Sequence, residues 1–553
     1  VPVEKVVDDP IAKVEAGPRR HPRIPTPPRL YGPMRRNSIG VDLSQASERK
    51  VLEENVEQLR QGSALVSGPI ISGKPKTEGG AEVFAPADTS RRLGTVLEAS
   101  ESDADAALNA AVAFQGEWDA LGGAKRAKIL SDMGDALESN MDRLVALMAE
   151  EAGKTFGDGI AEVREAVDFC RYYAIQAEEH FEGATRLPGP AGETNHISLH
   201  GRGVFACISP WNFPLAIFTG QITAALGAGN TVIAKPAEQA PIIAYEAVRI
   251  FQSAGLPGDA LHLLPGRGET VGAYLTRDPR VKGVCFTGGT DTARLINRTL
   301  AEREGAIIPL IAETGGLNGM FVDTTALREQ VIDDVLVSAF GSAGQRCSAL
   351  RLLFLPRATA DFLLEGLKGA MDELQIGDPG EADTDIGPVI DGEACGMLND
   401  YLARMKGEAE LIKTLEAPQG GHFFGPAIIE LSSIDQIEKE TFGPVLHVLR
   451  YDPDNIAEVG AQLEAKGYGL TLGVHSRLES FAGKVRQAVH AGNTYVNRSM
   501  TGAVVGVQPF GGEGLSGTGP KAGGPHYMLR FGTERVVTVD VTAQGGDPEL
   551  LSL

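Results

Sequence analysis

"TVIAKPAEQAPIIAYEAVRIFQSAG", residues 231 to 255, decides the fold class. Its first residues, Thr231 to Ala234, form an uncharged run rich in β-branched side chains, which reads as a strand buried on both faces. The run stops at Lys235 and Pro236, where proline removes a ladder donor, and from Pro241 the apolar residues recur at helical spacing. A doubly covered strand leading through a short turn into an amphipathic helix is half of a parallel βαβ unit.

The same grammar extends outward in both directions. "GVFACIS" (203–209) precedes it; "GVCFTGG" (283–289) with the helix "TDTARLINRTLAEREG" (290–305) and "AIIPLIAETGG" (306–316) follow. Beyond the helix "LREQVIDDVLVSAF" (327–340), a second series runs through "LRLLFLP" (350–356), "FFGPAIIEL" (423–431), "VLHVLRY" (445–451) and "GLTLGVHS" (469–476) to "NTYVNR" (493–498). Short apolar strands alternating with helices predict an α/β protein of two doubly wound, Rossmann-like domains. Ahead of them, residues 101–121, 124–153 and 159–181 each show the three-and-four spacing of one amphipathic helix, and residues 184–210 read as a hairpin around Pro-Gly-Pro leading into a buried strand.

A chain of 553 residues is long enough for two or three cores. Its net charge of −22 disfavours any surface that must neutralise nucleic-acid or lipid phosphates, so neither partner is expected. No apolar run reaches the roughly 20 residues of a membrane span and no signal peptide is evident, which predicts a soluble, cytoplasmic protein. Five scattered cysteines without C-x-x-C spacing predict neither a disulfide framework nor a metal site. A first residue other than methionine, followed by the proline-rich basic run "GPRRHPRIPTPPRLYGP", reads as a linker in a piece cut from something longer.

Several segments carry chemistry. "FGSAGQRCSALR" (340–351) presents Cys347 among small residues just beyond a helix, where backbone amides are accessible, while Cys207 and Cys285 lie within apolar strands and read as structural. "SPWNFP" (209–214) holds Asn212 rigidly between prolines as a candidate oxyanion donor. "IAETGG" (311–316) places Glu313 at a strand end before a flexible turn, as a general base that must move aside for a cofactor. No G-x-G-x-x-G fingerprint exists; "GRGETVG" (266–272) has one residue too many, whereas "FTGGTDTA" (286–293) sets Gly288 and Gly289 between a strand and a helix, where backbone N–H groups face a pyrophosphate. Lys235 and Glu238 in "AKPAE" sit at a strand end, and a carboxylate there suits a ribose diol better than a 2′-phosphate, favouring NAD over NADP.

"SPWNFP", "KPAEQ", "FTGGTDTA", "ETGG", "GQRCS" and "ETFGPV", in this order, resemble the NAD(P)-dependent aldehyde dehydrogenases over roughly residues 60 to 540. Departures are Thr314, where the family has leucine, and Ala293, where it has the last glycine of a G-x-T-x-x-G turn. The run 501–531, "TGAVVGVQPFGGEGLSGTGPKAGGPHYMLRF", is similar to the L-glutamate γ-semialdehyde (Δ1-pyrroline-5-carboxylate) dehydrogenases, and "RLYGPMRRNSIGVDLS" (29–44) to the segment joining the catalytic domains of the bifunctional proline utilization A enzymes. The resemblance implies NAD-dependent oxidation of L-glutamate γ-semialdehyde, the second step of proline catabolism, by a chain whose partner is a proline dehydrogenase domain; the alternative is another substrate such as succinate semialdehyde.

By the same resemblance, Cys347 is the nucleophile, Glu313 the base, and Asn212 with the Cys347 N–H the oxyanion site. Ile208, Ser209, Pro210, Trp211, Lys235, Glu238, Gly268, Gly288, Gly289, Glu440 and Phe442 bind the cofactor. Ser348 and the N–H groups of Gly502 and Ala503 grip the substrate's far carboxylate, with Phe213 and Phe510 along its chain. Residues 61–182 and 202–313 would form the NAD-binding domain and 314–529 the catalytic domain. Residues 1–60 would be an arm, and 183–201 with 530–545 the elements of a homo-oligomer.

Overall fold

The computed structural model describes residues 2–17, 20, 21, 23–190, 192–541 and 545. Strand Thr231–Lys235 is buried throughout and pairs in parallel with Val204–Ile208 on one side (Val204 opposite Thr231, Ile208 opposite Lys235) and Leu261–Leu263 on the other. The full sheet runs Leu310–Glu313, Val281–Thr287, Val204–Ile208, Thr231–Lys235, Leu261–Leu263, Ile70–Ile71, Lys74–Pro75. From Val204–Ile208 the next two parallel strands add on one side, and Val281–Thr287 then adds on the other. That reversal opens a crevice beyond the carboxyl ends of Val204–Ile208 and Val281–Thr287, where open sheets take ligands.

Strand alternation divides the core. Val204, Ala206 and Ile208 pack with Ile233 and Leu264 beneath helix Glu101–Ala120, while Phe205, Cys207, Val232 and Ala234 face helices Gly123–Ser139, Phe156–Phe181, Ala216–Gly227 and Pro241–Ser253. At about 1.5–3 kcal/mol for each large apolar side chain buried, covering both faces commits these strands to the interior. Ser100 and Asp103 cap helix Glu101–Ala120 reciprocally, Asp103 N–H to Ser100 Oγ at 3.2 Å and Ser100 N–H to Asp103 Oδ2 at 2.9 Å.

The single helix expected over 124–153 is two, Gly123–Ser139 and Met141–Ala152, broken at Asn140. Asn140 leaves the helical region (φ −108°, ψ 17°) while its amide donates to Ala136 O at 2.8 Å, closing off the last turn. Helix Ala46–Gln61 runs across the expected end of the arm at residue 60 and buries Leu52 and Val56 in the same core.

A second sheet runs Glu410–Thr414, Ala427–Glu430, Val445–Tyr451, Leu350–Pro356, Asn318–Val322, Thr471–His475, Asn493–Val496, parallel except at its first strand, around a core of its own. Cys347 lies just before Leu350–Pro356. A third sheet joins Leu65–Ser67, Asp88–Val96 and Ala81–Ala85. In a fourth, Gly532–Asp540 pairs along all of Glu193–Gly201 and shows Val536, Val537 and Val539 to the exterior; of the elements expected to oligomerise, residues 191 and 542–544 lie outside the described residues, as do 18, 19 and 22 of the linker run. No helix among the described residues is long and apolar enough to cross a membrane.

Residues 29–44 run across helix Phe156–Phe181. Arg35 Nη1 donates to Asp168 Oδ1 at 2.9 Å, Arg35 Nη2 donates to Val505 O, and Ser38 Oγ donates to Asp168 Oδ2 at 3.0 Å. The Arg35 guanidinium lies 3.9 Å from the centre of the Tyr31 ring.

Candidate active site

Helix Arg328–Phe340 ends at Gly341, and Ser342, Ala343 and Gly344 turn through left-handed conformations (φ 56°, 53° and 64°). A Cβ at Gly344 would lie 2.2 Å from Gly443 O, so the turn needs glycine there. Long-range bonds hold the segment that follows. Arg351, wholly buried, donates to Gly344 O (2.8 Å), Gly443 O (2.9 Å) and Arg346 O (3.2 Å) and through Nη2 to Glu440 Oε1 (3.0 Å). Asn318 Nδ2 donates to Cys347 O (2.7 Å) and Ala349 O (2.9 Å), and Thr471 Oγ1 to Ser348 O (3.2 Å). Burial, then the nearby Glu440 and Glu313 carboxylates, push the Cys347 thiol up to about 12, so it rests protonated.

Cys347 and Glu313 line one cavity of about 260 Å³ together with Phe213, Ser348, Gly502, Ala503 and Phe510, all seven named from the sequence. Phe169 and Ile217 extend its apolar wall. Glu313, at the end of the first sheet's edge strand, accepts from Gly512 N–H at Oε2 (3.0 Å), while its buried Oε1 has no hydrogen-bond partner among the described residues. Burial raises its carboxyl to about 8 against the opposing pull of the Gly512 N–H and Lys521. Asn212 is buried and is not itself among the residues lining this cavity, though the next residue, Phe213, is; one amide hydrogen reaches Gln345 O (3.0 Å), and the second meets no partner among the described residues.

The expected cofactor residues lie around the carboxyl ends of the first sheet's strands; Gly268 opens the turn after Leu261–Leu263, the strand beside Thr231–Lys235, and its neighbour Glu269 acts electrostatically on Lys235. Ile208 and Lys235 end neighbouring strands, joined onward by Ser209 N–H to Lys235 O at 3.1 Å. The Ser209 hydroxyl is buried with no hydrogen-bond partner among the described residues. Pro210 and Trp211 follow, and the Trp211 ring meets Phe442 edge-on at 5.7 Å. Lys235 Nζ lies 3.3 Å from Glu238 Oε2, which is half-exposed. Gly288 N–H is occupied by Glu313 O at 3.1 Å, whereas Gly289, at the N-cap of helix Thr290–Glu302, faces open space. Glu440 Oε2 accepts from Gly316 N–H at 3.1 Å, and a Cβ on Gly315 would fall 1.9 Å from that oxygen.

Sequence reasoning passed over a charged wall. Asp158, Glu162 and Glu165 line the cavity from helix Phe156–Phe181. Arg346 pairs with Asp158, which also accepts from Ser342 Oγ (2.7 Å); Lys154 lies 3.1 Å from Glu162 Oε2 and 4.2 Å from the centre of the Phe213 ring. Burial, then the Glu162 charge, raises the Glu165 carboxyl to about 8. The signal was present: carboxylates spaced four and three apart share one helix face with Phe169, an apolar residue that lines the same cavity.

Comparison with known proteins adds an independent line. The aldehyde dehydrogenase family profile matches residues 74–537. The chain is 47% identical over 553 residues to the bifunctional protein PutA of Escherichia coli (strain K12), covering 96% of this chain and 40% of that protein, so it spans about two fifths of such relatives. It is 35% identical to the 1-pyrroline-5-carboxylate dehydrogenase of Geobacillus sp. (strain WCH70), covering 88% of this chain and 96% of that one. A crystal structure of 1-pyrroline-5-carboxylate dehydrogenase from Thermus with bound NAD superposes with a TM-score of 0.87 at 34% identity, over 91% of this chain and 99% of its own.

Proposed function

The chain belongs to the aldehyde dehydrogenase family, and from that premise we propose that it oxidises L-glutamate γ-semialdehyde to L-glutamate with NAD, the second step of proline catabolism. The observation that carries this reading is one cavity holding a cysteine, a carboxyl at about 8, three phenylalanines and, beyond Ser348, the Gly502 and Ala503 peptides. An aldehyde at Cys347 with a short apolar chain and a distal carboxylate fits that sequence of groups. Glu165 on the opposite wall supplies a carboxyl for an α-ammonium, whose arrival would favour its ionised form.

The residues at the switch point fit NAD: the unpaired Ser209 hydroxyl, the open N-cap at Gly289 and the Lys235–Glu238 pair converge on one crevice. Lys235 and Glu238 would hold the adenosine ribose, Gly289 the pyrophosphate, Glu440 the second ribose, and Trp211 and Phe442 the nicotinamide. NAD, when bound, supplies the acceptor for the hydride that leaves the substrate carbon.

Glu313 takes the Cys347 thiol proton and passes it to solvent, and Sγ forms a bond to the aldehyde carbon as the carbonyl electrons move to oxygen. The free amide hydrogen of Asn212 and the Cys347 N–H, which donates to no other group among the described residues, stabilise that oxyanion. Loss of hydride leaves a thioester. Glu313, turned from Gly512, takes a proton from water as the water oxygen attacks; the C–S bond breaks and glutamate departs.

The chain would work in the cytoplasm as a homo-oligomer, joined to a proline dehydrogenase domain in its longer relatives' manner. Residues 61–182 with 202–313 would act as the NAD-binding domain and 314–529 as the catalytic domain. NADH formation measured with L-glutamate γ-semialdehyde and with succinate semialdehyde tests the assignment: the first substrate is expected to win clearly, and Cys347→Ala to abolish the signal. Preference for the aldehyde lacking an amino group overturns the substrate; activity surviving Cys347→Ala overturns the nucleophile.

A further inference from the structure

Tyr495 lies on the edge strand Asn493–Val496 of the second sheet, buried to 5% of its surface, and its hydroxyl donates to Gly502 O at 2.5 Å. In a trans peptide the carbonyl and the following N–H point in opposite directions. Drawing Gly502 O toward Tyr495 therefore turns the Ala503 N–H the other way, and Gly502 and Ala503 both line the cavity that contains Cys347. Neither the Gly502 nor the Ala503 N–H donates to any group among the described residues.

The rest of the loop is pinned independently: Met500 N–H donates to Ser338 Oγ at 3.1 Å, and Asn497, at φ 54°, exchanges bonds with Ser476. Among the described residues, Gly502 O accepts from the Tyr495 hydroxyl alone. Arg498 lies over the Tyr495 ring at 5.4 Å, and a Cβ on Gly502 would come 2.5 Å from its Nη2. The Arg498 guanidinium, which also acts on the Asp334 carboxylate, thus backs the same peptide.

We propose that Tyr495 is a positioning residue that sets specificity for aldehydes bearing a distal carboxylate, by fixing the 502–503 peptide so that the Ala503 N–H faces the cavity. The inference rests on the substrate reading above and assigns its selectivity to a residue that touches no substrate. Burial, foremost, holds the phenol up to about 12, so the hydroxyl keeps the proton it donates across the working range of the enzyme.

Tyr495→Phe removes only that donor. Steady-state kinetics are measured with L-glutamate γ-semialdehyde and with pentanal, which lacks the carboxylate, for both proteins. The variant is expected to raise KM for the semialdehyde about tenfold, equivalent to about 1.4 kcal/mol, with kcat within about threefold, while the ratio of variant to parent kcat/KM for pentanal stays near one. Tyr495→Leu, which also loses ring packing against Arg498, should depress both substrates and separates packing from peptide direction. Equal losses on both aldehydes with Tyr495→Phe, or an unchanged semialdehyde KM, overturn the assignment. A parent enzyme with no preference for the semialdehyde over pentanal overturns the substrate reading and this inference with it; a parent with the preference and an unaffected variant overturns this inference alone.

Discussion

Replacing Arg351 with methionine should cost more stability than any other single change near the site. Arg351 is wholly buried and serves Glu440 and the carbonyls of Gly344, Gly443 and Arg346 at once. Glu440 keeps only the Gly316 N–H once the guanidinium is gone, and burial already holds its carboxyl above the usual range despite Arg351. Breaking a buried pair from one side costs about 3–5 kcal/mol. At about 2–4 °C per kcal/mol for a unit the size of residues 314–529 unfolding on its own, its midpoint should fall by roughly 10 °C. Differential scanning calorimetry on the parent, Arg351→Met, Glu440→Gln and the double variant gives the cycle. If the stranded charge dominates, the double variant recovers at least half of the loss; the Gly344 and Gly443 carbonyls account for the remainder. A loss below about 1 kcal/mol in the single variant, or a double variant as unstable as the sum of the singles, refutes the reasoning.

Glu313 must be ionised to accept a proton, so kcat should rise with pH about a midpoint near 8, and Lys521→Met should move that midpoint upward because it removes the cation that favours the carboxylate; a midpoint below 6, or one indifferent to Lys521, counts against it. Asn212→Ala should lower kcat by about 10²–10³-fold, with a stability loss near 1 kcal/mol for its bond to Gln345, read by kinetics and thermal unfolding together. Glu151 caps helix Pro241–Ser253 through Ile242 N–H and Ile243 N–H and is raised to about 8 by burial. The folded chain thus holds that proton more tightly than the unfolded one, and stability should decline as pH rises from about 5 through 8. Glu151→Gln should flatten part of that decline in thermal midpoints taken across the range.

What the sequence disclosed and what it withheld divide along the range of the interaction. Strand Thr231–Lys235 and its helix were legible because burial on both faces and helical spacing are local patterns. So were Cys347, Glu313 and Asn212, whose neighbours are small, flexible or proline-stiffened. The break at Asn140 was not, because Met141 resumes the apolar spacing at once and the spacing alone does not register a one-residue departure from helical angles. Arg346, without an assigned role on the chain, acquires Asp158 only when helix Phe156–Phe181 packs beside the loop. Arg351 and Tyr495 act on groups that come close only after both sheets are assembled, and nothing in their immediate sequence marks them.

The strand of contacts from Arg35 to Asp168 and Val505 sets a lower limit on the working piece of this chain. A truncation that starts at residue 45 would retain every residue proposed to react with aldehyde or cofactor. It would also strip the only arginine bridging helix Phe156–Phe181 to the loop after Ala503 among the described residues, and remove the Arg35 and Ser38 hydrogen bonds to buried Asp168, leaving it to the charges of Arg164 and Arg171. Such a shortened enzyme should be well formed at Cys347 yet loose at the end of the cavity that reads the substrate, so the economical boundary for engineering lies before Tyr31, well upstream of the first sheet.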